Sequence, residues 1–355
     1  MIDNIIVCKI GSQVITSEGQ ISQGFLTNFF KELKRIHEAG WQPILVVSGA
    51  VATGRSQTKL ESKQARAAFG QLKLMRELAK LAEQQDLKTA LLLISREDII
   101  NRARYEALRQ TLEELTHQDI IPVINENDAT ALPDQTEFLD NDQLATIIAI
   151  VAQADRLFLL TNVDGIFTND PRLNPSAKLI DEIEFISQQT IRQVAKGSTS
   201  SGRGGIRGKL RAARIATAAG IPTIILNGTK PEQLSEVILS GASHGTYCLL
   251  RKQNVVDLKT RDRWLLSAQN SDARIQLDSG AIQALKNRKS LLAVGIQQIC
   301  GQFDAKDCVE LIDSKKEVVA LGQTTISSQE LEKMLKQSEK PYNVEVIHAD
   351  NIFLL

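Results

Sequence analysis

IIPVINENDA, residues Ile120 to Ala129, is an apolar run that stops abruptly in Asn125, Glu126, Asn127 and Asp128. A segment apolar along its whole length reads as a strand covered on both faces, the signature of a parallel sheet. Its C-terminal tip then carries four polar side chains to one place, and in open α/β sheets that tip is where ligands bind. LDNDQLATIIAI, Leu139 to Ile150, follows closely and sets Asp140, Asn141 and Asp142 directly before a helical apolar run. Amide and carboxylate groups thus gather beside a helix N-terminus, which itself attracts anions. The pair of clusters suggests a site for a small zwitterion or a metal-bound phosphate. Each alone also suits a plainer use, Asp140 or Asn141 as a helix N-cap and Asn-Asp as an ordinary turn.

Outward from this stretch, short apolar strands alternate with longer helical patterns as far as about residue 250. IIVCKI, PILVVS (Pro43 to Ser48), TALLLI (Thr89 to Ile94), RLFLLT (Arg156 to Thr161) and PTIILN (Pro222 to Asn227) read as strands. Helices are expected from FLTNFFKELKRIHEAG, with Leu26, Phe29, Phe30, Leu33 and Ile36 on one stripe, and over 62–85, 102–117 and 206–219. After Arg251 the pieces shorten and alternate, including RWLLSA, ARIQLDSGAIQAL and CVELIDSKKEVVALG, as in a small β-rich domain. The polar stretch Gln253 to Arg263 reads as a linker.

The 355 residues, 43% apolar and 24% charged, have the composition of a soluble globular protein with room for two cores. Lys plus Arg and Asp plus Glu balance at 42 each, so no global basic field exists to attract nucleic acid or an anionic membrane. The start MIDNIIVCKIG has an acidic Asp3 and only a short apolar run, so neither signal peptide nor membrane span is expected and the protein is placed in the cytoplasm. Cys8, Cys248, Cys300 and Cys308 show no CxxC spacing, which argues against zinc. His37, His117, His244 and His348 are scattered and form no ligand set or triad.

Other stretches carry candidate chemistry. The first strand ends in Lys9-Ile10-Gly11-Ser12, bringing a lysine to the sheet edge beside a glycine that lets backbone N–H groups approach a ligand. A lysine snorkelling out of a strand end would look the same. Ser48 to Gly54, SGAVATG, is a strand-to-helix turn of small residues suited to an anion or carboxylate, or simply to tight packing. Gly197 to Gly220 is glycine-dense but matches neither phosphate motif: Walker A needs glycine at Arg203 and Ser or Thr at Leu210, and a GxGxxG begun at Gly202 needs glycine at Arg207. What remains is a loop opening a helix, with Arg203, Arg207 and Lys209 as cations for a polyphosphate. Gly205-Ile206-Arg207-Gly208 fits the GxxG of a KH loop, but four residues carry little information. LFLLTNVDGIFTNDPR, Leu157 to Arg172, offers polar groups for an adenine, a ribose or a metal, or a turn-rich loop.

Lys9 to Ser12, VVSGAVATGR (Val46 to Arg55), VINEND, LDNDQLA, LLTNVDGIFTNDPR and a glycine loop ending in Gly-Lys, in this order, resemble the amino acid kinase family. The similarity is strongest to its members that phosphorylate glutamate, whose C-terminal PUA domain resembles LDSGAIQALKNRKSLLAVGIQQICGQFDAKDCVELID and the ending VEVIHADNIFLL. The resemblance implies an α/β fold, an αβα sandwich around a mainly parallel sheet of about eight strands. It assigns 1–252 to the catalytic domain, 253–272 to a linker and 273–355 to a small β-rich PUA domain.

It further implies phosphorylation of the L-glutamate γ-carboxylate by ATP, with Mg²⁺ held on the ATP and no side-chain ligand set for it. Expected partners are L-glutamate, proline as feedback inhibitor, further copies of the chain in a homo-oligomer, and glutamate-5-semialdehyde dehydrogenase as the next enzyme. RNA and membranes are not expected. On matching positions Lys9 and Lys209 bracket the transferred phosphoryl group. Asp140 and Asp142 orient these lysines or Mg²⁺, or cap the helix. Ser48, Asp128 and Asn141 match glutamate-binding positions, with Gly49, Ala50 and Asn125 beside them. Gly11, Thr161, Asn162 and the stretch Arg203, Gly204, Gly205, Ile206, Arg207, Gly208 and Lys209 match ATP contacts. Two departures stand out: the family usually has Thr-Asp at Thr161-Asn162, and Thr-Gly-Gly-Met-x-Thr-Lys at Arg203 to Lys209. Other kinases of the family, acting on aspartate, N-acetylglutamate, carbamate or UMP, are the alternative. An RNA-binding PUA protein is the non-enzymatic rival, against which the charge balance and 4% aromatic content weigh.

Overall fold

The computed structural model describes residues 4–17, 20–130, 140–171, 173–187, 189–191, 194, 205–250, 258–336 and 343–355. It divides into two units, Met1–Val256 and Asp257–Leu355.

The first unit is built on one eight-stranded sheet. In chain order its strands are β1 (Ile5–Ile10), β2 (Gln42–Val47), β3 (Lys88–Ile94), β4 (Ile120–Glu126), β5 (Arg156–Thr161), β6 (Glu182–Ile183), β7 (Thr223–Asn227) and β8 (Thr246–Cys248). The helices used below are α1 (Gln23–Glu38), α2 (Ala50–Gln57), α3 (Lys63–Glu83), α4 (Arg102–His117), α5 (Asn141–Val151) and α6 (Ile206–Ala218). The spatial order is β3-β4-β2-β1-β5-β7-β8-β6. Every neighbouring pair is parallel except β7 with β8.

This order locates the ligand crevice. The chain lays β2, β3 and β4 on one side of β1, then crosses back over it to lay β5 and β7 on the other. Connections leave β1 and β5 in opposite directions, so their carboxyl ends border the topological switch point where such sheets bind ligands. The strands that meet there are sealed: β1 and β7 are buried throughout, and β2, β4 and β5 nearly so. One face packs against α1 through Leu26, Phe29, Phe30, Leu33 and Ile36, the stripe visible in the sequence. At the sheet edge β3 departs from the doubly covered pattern and exposes Leu91 and Leu93. Cys8 and Cys248 lie in the core, where burial pushes both thiols up, Cys248 to about 12, so neither is a nucleophile at neutral pH.

SGAVATG, read from the sequence as a turn of small residues, contains a real helix, α2. Gly49 precedes it with φ +118°, a left-handed conformation that glycine adopts without a Cβ penalty. Within α2, Gly54 has no room for a side chain, since a Cβ would fall 2.0 Å from the carbonyl oxygen of Arg66 on α3. The reciprocal holds at Gly70 of α3, where a Cβ would fall 1.9 Å from the carbonyl oxygen of Ala50. The two helices therefore pack backbone against backbone. Glycine inside a helix costs about 1 kcal/mol relative to alanine, and here tertiary contact overrides that preference.

The second unit carries a five-stranded sheet in the order Ile296–Cys300, Gln269–Leu277, Cys308–Ile312, Val318–Gln323, Ile352–Leu354. Its core gathers Ile275, Leu277, Leu291, Val309, Leu311 and Val346. Of the segment 253–272, expected as a linker, residues 258–272 are described; they carry a helix and the start of a strand and fall within this unit, which begins at Asp257. RWLLSA is helical, within Thr260–Ala268, because Trp264, Leu265 and Leu266 are buried together rather than on alternate faces. The Cys308 thiol donates to the Leu265 carbonyl at 3.3 Å, tying this helix to the sheet. Among the described residues no helix is long and apolar enough to cross a membrane.

Candidate functional site

The carboxyl ends of β1, β2, β4 and β5 and the N-termini of α2, α3, α5 and α6 surround a cleft of about 840 Å³. Its floor is ionic. Asp142, in the first turn of α5, is fully buried, and its two carboxylate oxygens face two lysines. Oδ1 lies 2.7 Å from Nζ of Lys9, at the end of β1, and Oδ2 accepts from Nζ of Lys209 at 2.9 Å. Lys9 and Lys209 are only 5% and 7% exposed, yet both reach the cleft wall. A Cβ on Gly11 would stand 3.6 Å from Lys9 Nζ, so glycine there keeps the space beside the ammonium open.

Burial of this kind acts on each ionisation. Lys9 is held below its usual value, first by loss of solvent and then by the Lys209 charge, with Asp142 opposing. Burial alone would raise Asp142, but Lys209 and Lys9 outweigh it and keep the carboxyl below the usual range. Asp140 moves up, through burial and the neighbouring Asp142 charge. Its side chain is the cap of α5, accepting from the Gln143 N–H at 2.9 Å, while the residue also lines the cleft. The two acids that spacing could not separate thus differ: Asp140 caps, and Asp142 holds the lysines.

A second region is made of amides. The Asn141 side-chain amide reaches the Val47 carbonyl and the Ser48 hydroxyl at 2.7 Å each, and Asn125 Oδ1 at 3.2 Å. Asn125 donates in turn to Gln71 Oε1 of α3 at 2.7 Å, a buried contact, and its Oδ1 accepts from the Glu126 N–H. Ser48, Gly49 and Ala50 line the cleft next to this network. The first turn of α2 presents backbone N–H groups of the kind that no intrahelical acceptor satisfies. Asp128, beyond the end of β4, pairs with Lys63 at 3.0 Å, and both face the cleft.

The third region lies beyond β5. Thr161 and Asn162 line the wall, and the Asn162 amide donates to Gln13 Oε1 at 3.1 Å. The carbonyl of Thr161 accepts from the Gly228 N–H. Asp164 is held below its usual range by hydrogen bonds from Lys230 and Asn227. Gly205 and Ile206, at the start of α6, line the cleft. Arg207 is exposed, and neither it nor Gly208 is on the cleft wall. Arg203 and Gly204 lie outside the described residues. Among the described residues, no group of three or more His, Cys, Asp or Glu side chains could hold a metal ion.

Lys63, Gln71, Gln13 and Arg55 join or support the site without having been singled out in the sequence. Lys63 and Gln71 sit in SKQARAAFGQ, where they read as polar residues of an ordinary amphipathic helix. Only the packing of α3 brings Lys63 to the cleft wall and Gln71 against Asn125 beneath it.

The profile of the Amino acid kinase family matches residues 4–227, and that of the PUA domain matches 273–343. A protein of Acinetobacter baumannii named Glutamate 5-kinase is 36% identical, with 98% of this chain and 95% of the relative covered. One of the same name from Geobacter metallireducens is also 36% identical, over 99% of this chain and 97% of its own. Carbamate kinase from Giardia lamblia bound to AMP-PNP superposes with a TM-score of 0.51 at 14% identity, covering 70% of this chain and all of that one. At that identity the likeness concerns the fold.

Proposed function

The chain belongs to the amino acid kinase family, and on that premise we propose that it transfers the γ-phosphoryl group of ATP to the γ-carboxylate of L-glutamate. The product is L-glutamyl 5-phosphate, an acyl phosphate that opens a route to proline. The observation that carries this reading is the Lys9–Asp142–Lys209 bridge set at the switch point beside an amide-lined pocket.

A glutamate carboxylate, with a pKa of about 4.3, is ionised at neutral pH, so the reaction needs no general base. What it needs is alignment and neutralisation of charge on the transferring group. Lys9 and Lys209 supply two ammonium groups, and Asp142 holds them on opposite oxygens of a single carboxylate. Low accessibility strengthens their interaction with phosphoryl oxygens and spares them reorganisation when charge shifts. An Mg²⁺ ion would be held mainly by the ATP phosphates, with Asp140 as one carboxylate on the cleft wall near the two lysines, and would neutralise phosphate charge. On the amino acid side, Asp128 accepts from the substrate ammonium, and Ser48 with the first turn of α2 donates to carboxylate oxygens. Asn141, fixed by Val47 and Asn125, holds the Ser48 hydroxyl in place. Thr161, Asn162, Gly205 and Ile206 face the nucleotide.

The test is formation of a hydroxamate from the acyl phosphate with Mg-ATP and glutamate in the presence of hydroxylamine. Glutamate should give product in preference to aspartate, N-acetylglutamate, carbamate or UMP. Turnover of one of those in its place would reassign the substrate. Added proline tests feedback inhibition, omission of Mg²⁺ tests the ion, and sedimentation tests assembly into a homo-oligomer.

A further inference from the structure

We propose that Lys63 binds the α-carboxylate of the amino acid substrate, moving to it from Asp128 as the substrate ammonium arrives. The inference rests on the glutamate reading above and adds to it the group that recognises the head of the amino acid.

Lys63 is the first residue of α3, and its Nζ stands 3.0 Å from Asp128 Oδ1. Their side chains are 36% and 15% exposed, and both line the cleft. A cation at a helix N-terminus sits at the positive end of the helix dipole, which disfavours it. Asp128 offsets that placement, so the lysine is held in the cleft by its counter-ion.

An α-amino acid carries its ammonium and carboxylate on one carbon. The Lys63–Asp128 pair presents the same two charges in reversed order. Bound head to head, the substrate ammonium meets Asp128 and the substrate carboxylate meets Lys63, and four charges alternate in sign. No net charge is added, so the exchange proceeds without leaving either protein group uncompensated. The four-carbon lysine stem can follow the carboxylate without movement of α3. The N–H groups of the Ser48 to Ala50 turn lie on the same cleft and share the carboxylate.

The experiment compares two substrates in two variants. Wild-type protein, Lys63→Gln and Lys63→Arg are assayed with glutamate and with its α-amide, in which the α-carboxylate is replaced by a neutral amide. For Lys63→Gln the KM for glutamate should rise roughly 10- to 100-fold, the scale of a hydrogen bond to a charged group. Its kcat should stay within about twofold, as for loss of uniform binding, and its kinetics with the α-amide should stay close to wild type. Lys63→Arg, which keeps the charge, should retain preference for glutamate over the α-amide. An equal loss on both substrates in Lys63→Gln would mean that the lysine only positions Asp128, and would overturn the proposal. So would a fall in kcat with KM unchanged. Wild-type protein inactive on glutamate would overturn this inference together with the reading it rests on, whereas equal sensitivity overturns the inference alone.

Discussion

Substituting Asp142→Asn keeps the shape of the central carboxylate and removes its charge. In the wild-type protein that charge is fully buried and faces two ammonium groups that are themselves 5% and 7% exposed. Taking away one partner of a buried ion pair costs about 3–5 kcal/mol, because the remaining charge has lost both water and counter-ion. Two lysines lose their counter-ion here, but the asparagine oxygen can still accept from one of them, so a cost in the lower half of that range is expected. Against a typical stability of about 5–15 kcal/mol this is a large fraction. Urea titration of the full chain at neutral pH should show a clear fall in midpoint.

The pH dependence has a definite sign. Asp142 has a folded pKa below its unfolded value of about 3.9, so its contribution is present above that pH and lost as pH falls through the folded value. Lys9 is also shifted down, mainly by burial, so between its folded value and about 10.4 the unfolded chain binds more protons and stability rises with pH. Removing Asp142 deletes an interaction that keeps Lys9 protonated and enlarges that alkaline gain. The deficit of the variant should therefore be greatest near neutrality and narrow toward about pH 10 and below about pH 3.9. An unchanged midpoint at pH 7, or a deficit that widens from pH 7 to pH 10, would refute the reasoning.

Lys209→Ala should lower kcat by about 10²- to 10³-fold, the scale of losing one preorganised donor to transition-state charge; steady-state kinetics with unchanged kcat would remove Lys209 from the chemistry. Asp128→Asn should raise KM for glutamate and leave that for ATP near its wild-type value, and a change confined to ATP would contradict the assignment. Gly70→Ala places a methyl group 1.9 Å from the Ala50 carbonyl oxygen and should destabilise the protein by about 1–3 kcal/mol while raising KM for glutamate. A thermal midpoint equal to wild type would show that α2 and α3 can separate more readily than their contact implies.

The strands were legible because burial on both faces leaves an unbroken apolar run, as in IIVCKI and RLFLLT. Their C-terminal tips were legible for the same reason, since Lys9 and Asn125 interrupt such runs. The meaning of the interruptions was less accessible. Asp140 and Asp142 are equally placed to cap a helix, and only the direction of each side chain separates them. Lys209 meets Asp142 across 67 residues of sequence, beyond the reach of any local spacing. The α2 helix was hidden by Gly54, a residue whose helical position makes sense only opposite Gly70. Lys63 and Gln71 left no local trace, because polar residues on a long helix are ordinary. In the second unit, short apolar words such as RWLLSA did not distinguish helix from strand.

The backbone contact between α2 and α3 has a mechanical consequence. With no side chain between Gly54 and Arg66, or between Gly70 and Ala50, these helices have little slack to shear or hinge against one another. The Ser48 to Ala50 turn stands at the start of one and Lys63 at the start of the other, so the cleft-lining groups that these two helices carry move as a single jaw. Such a jaw tunes specificity by exchanging the side chains at its lip, and it widens only if both glycines give up their contact together.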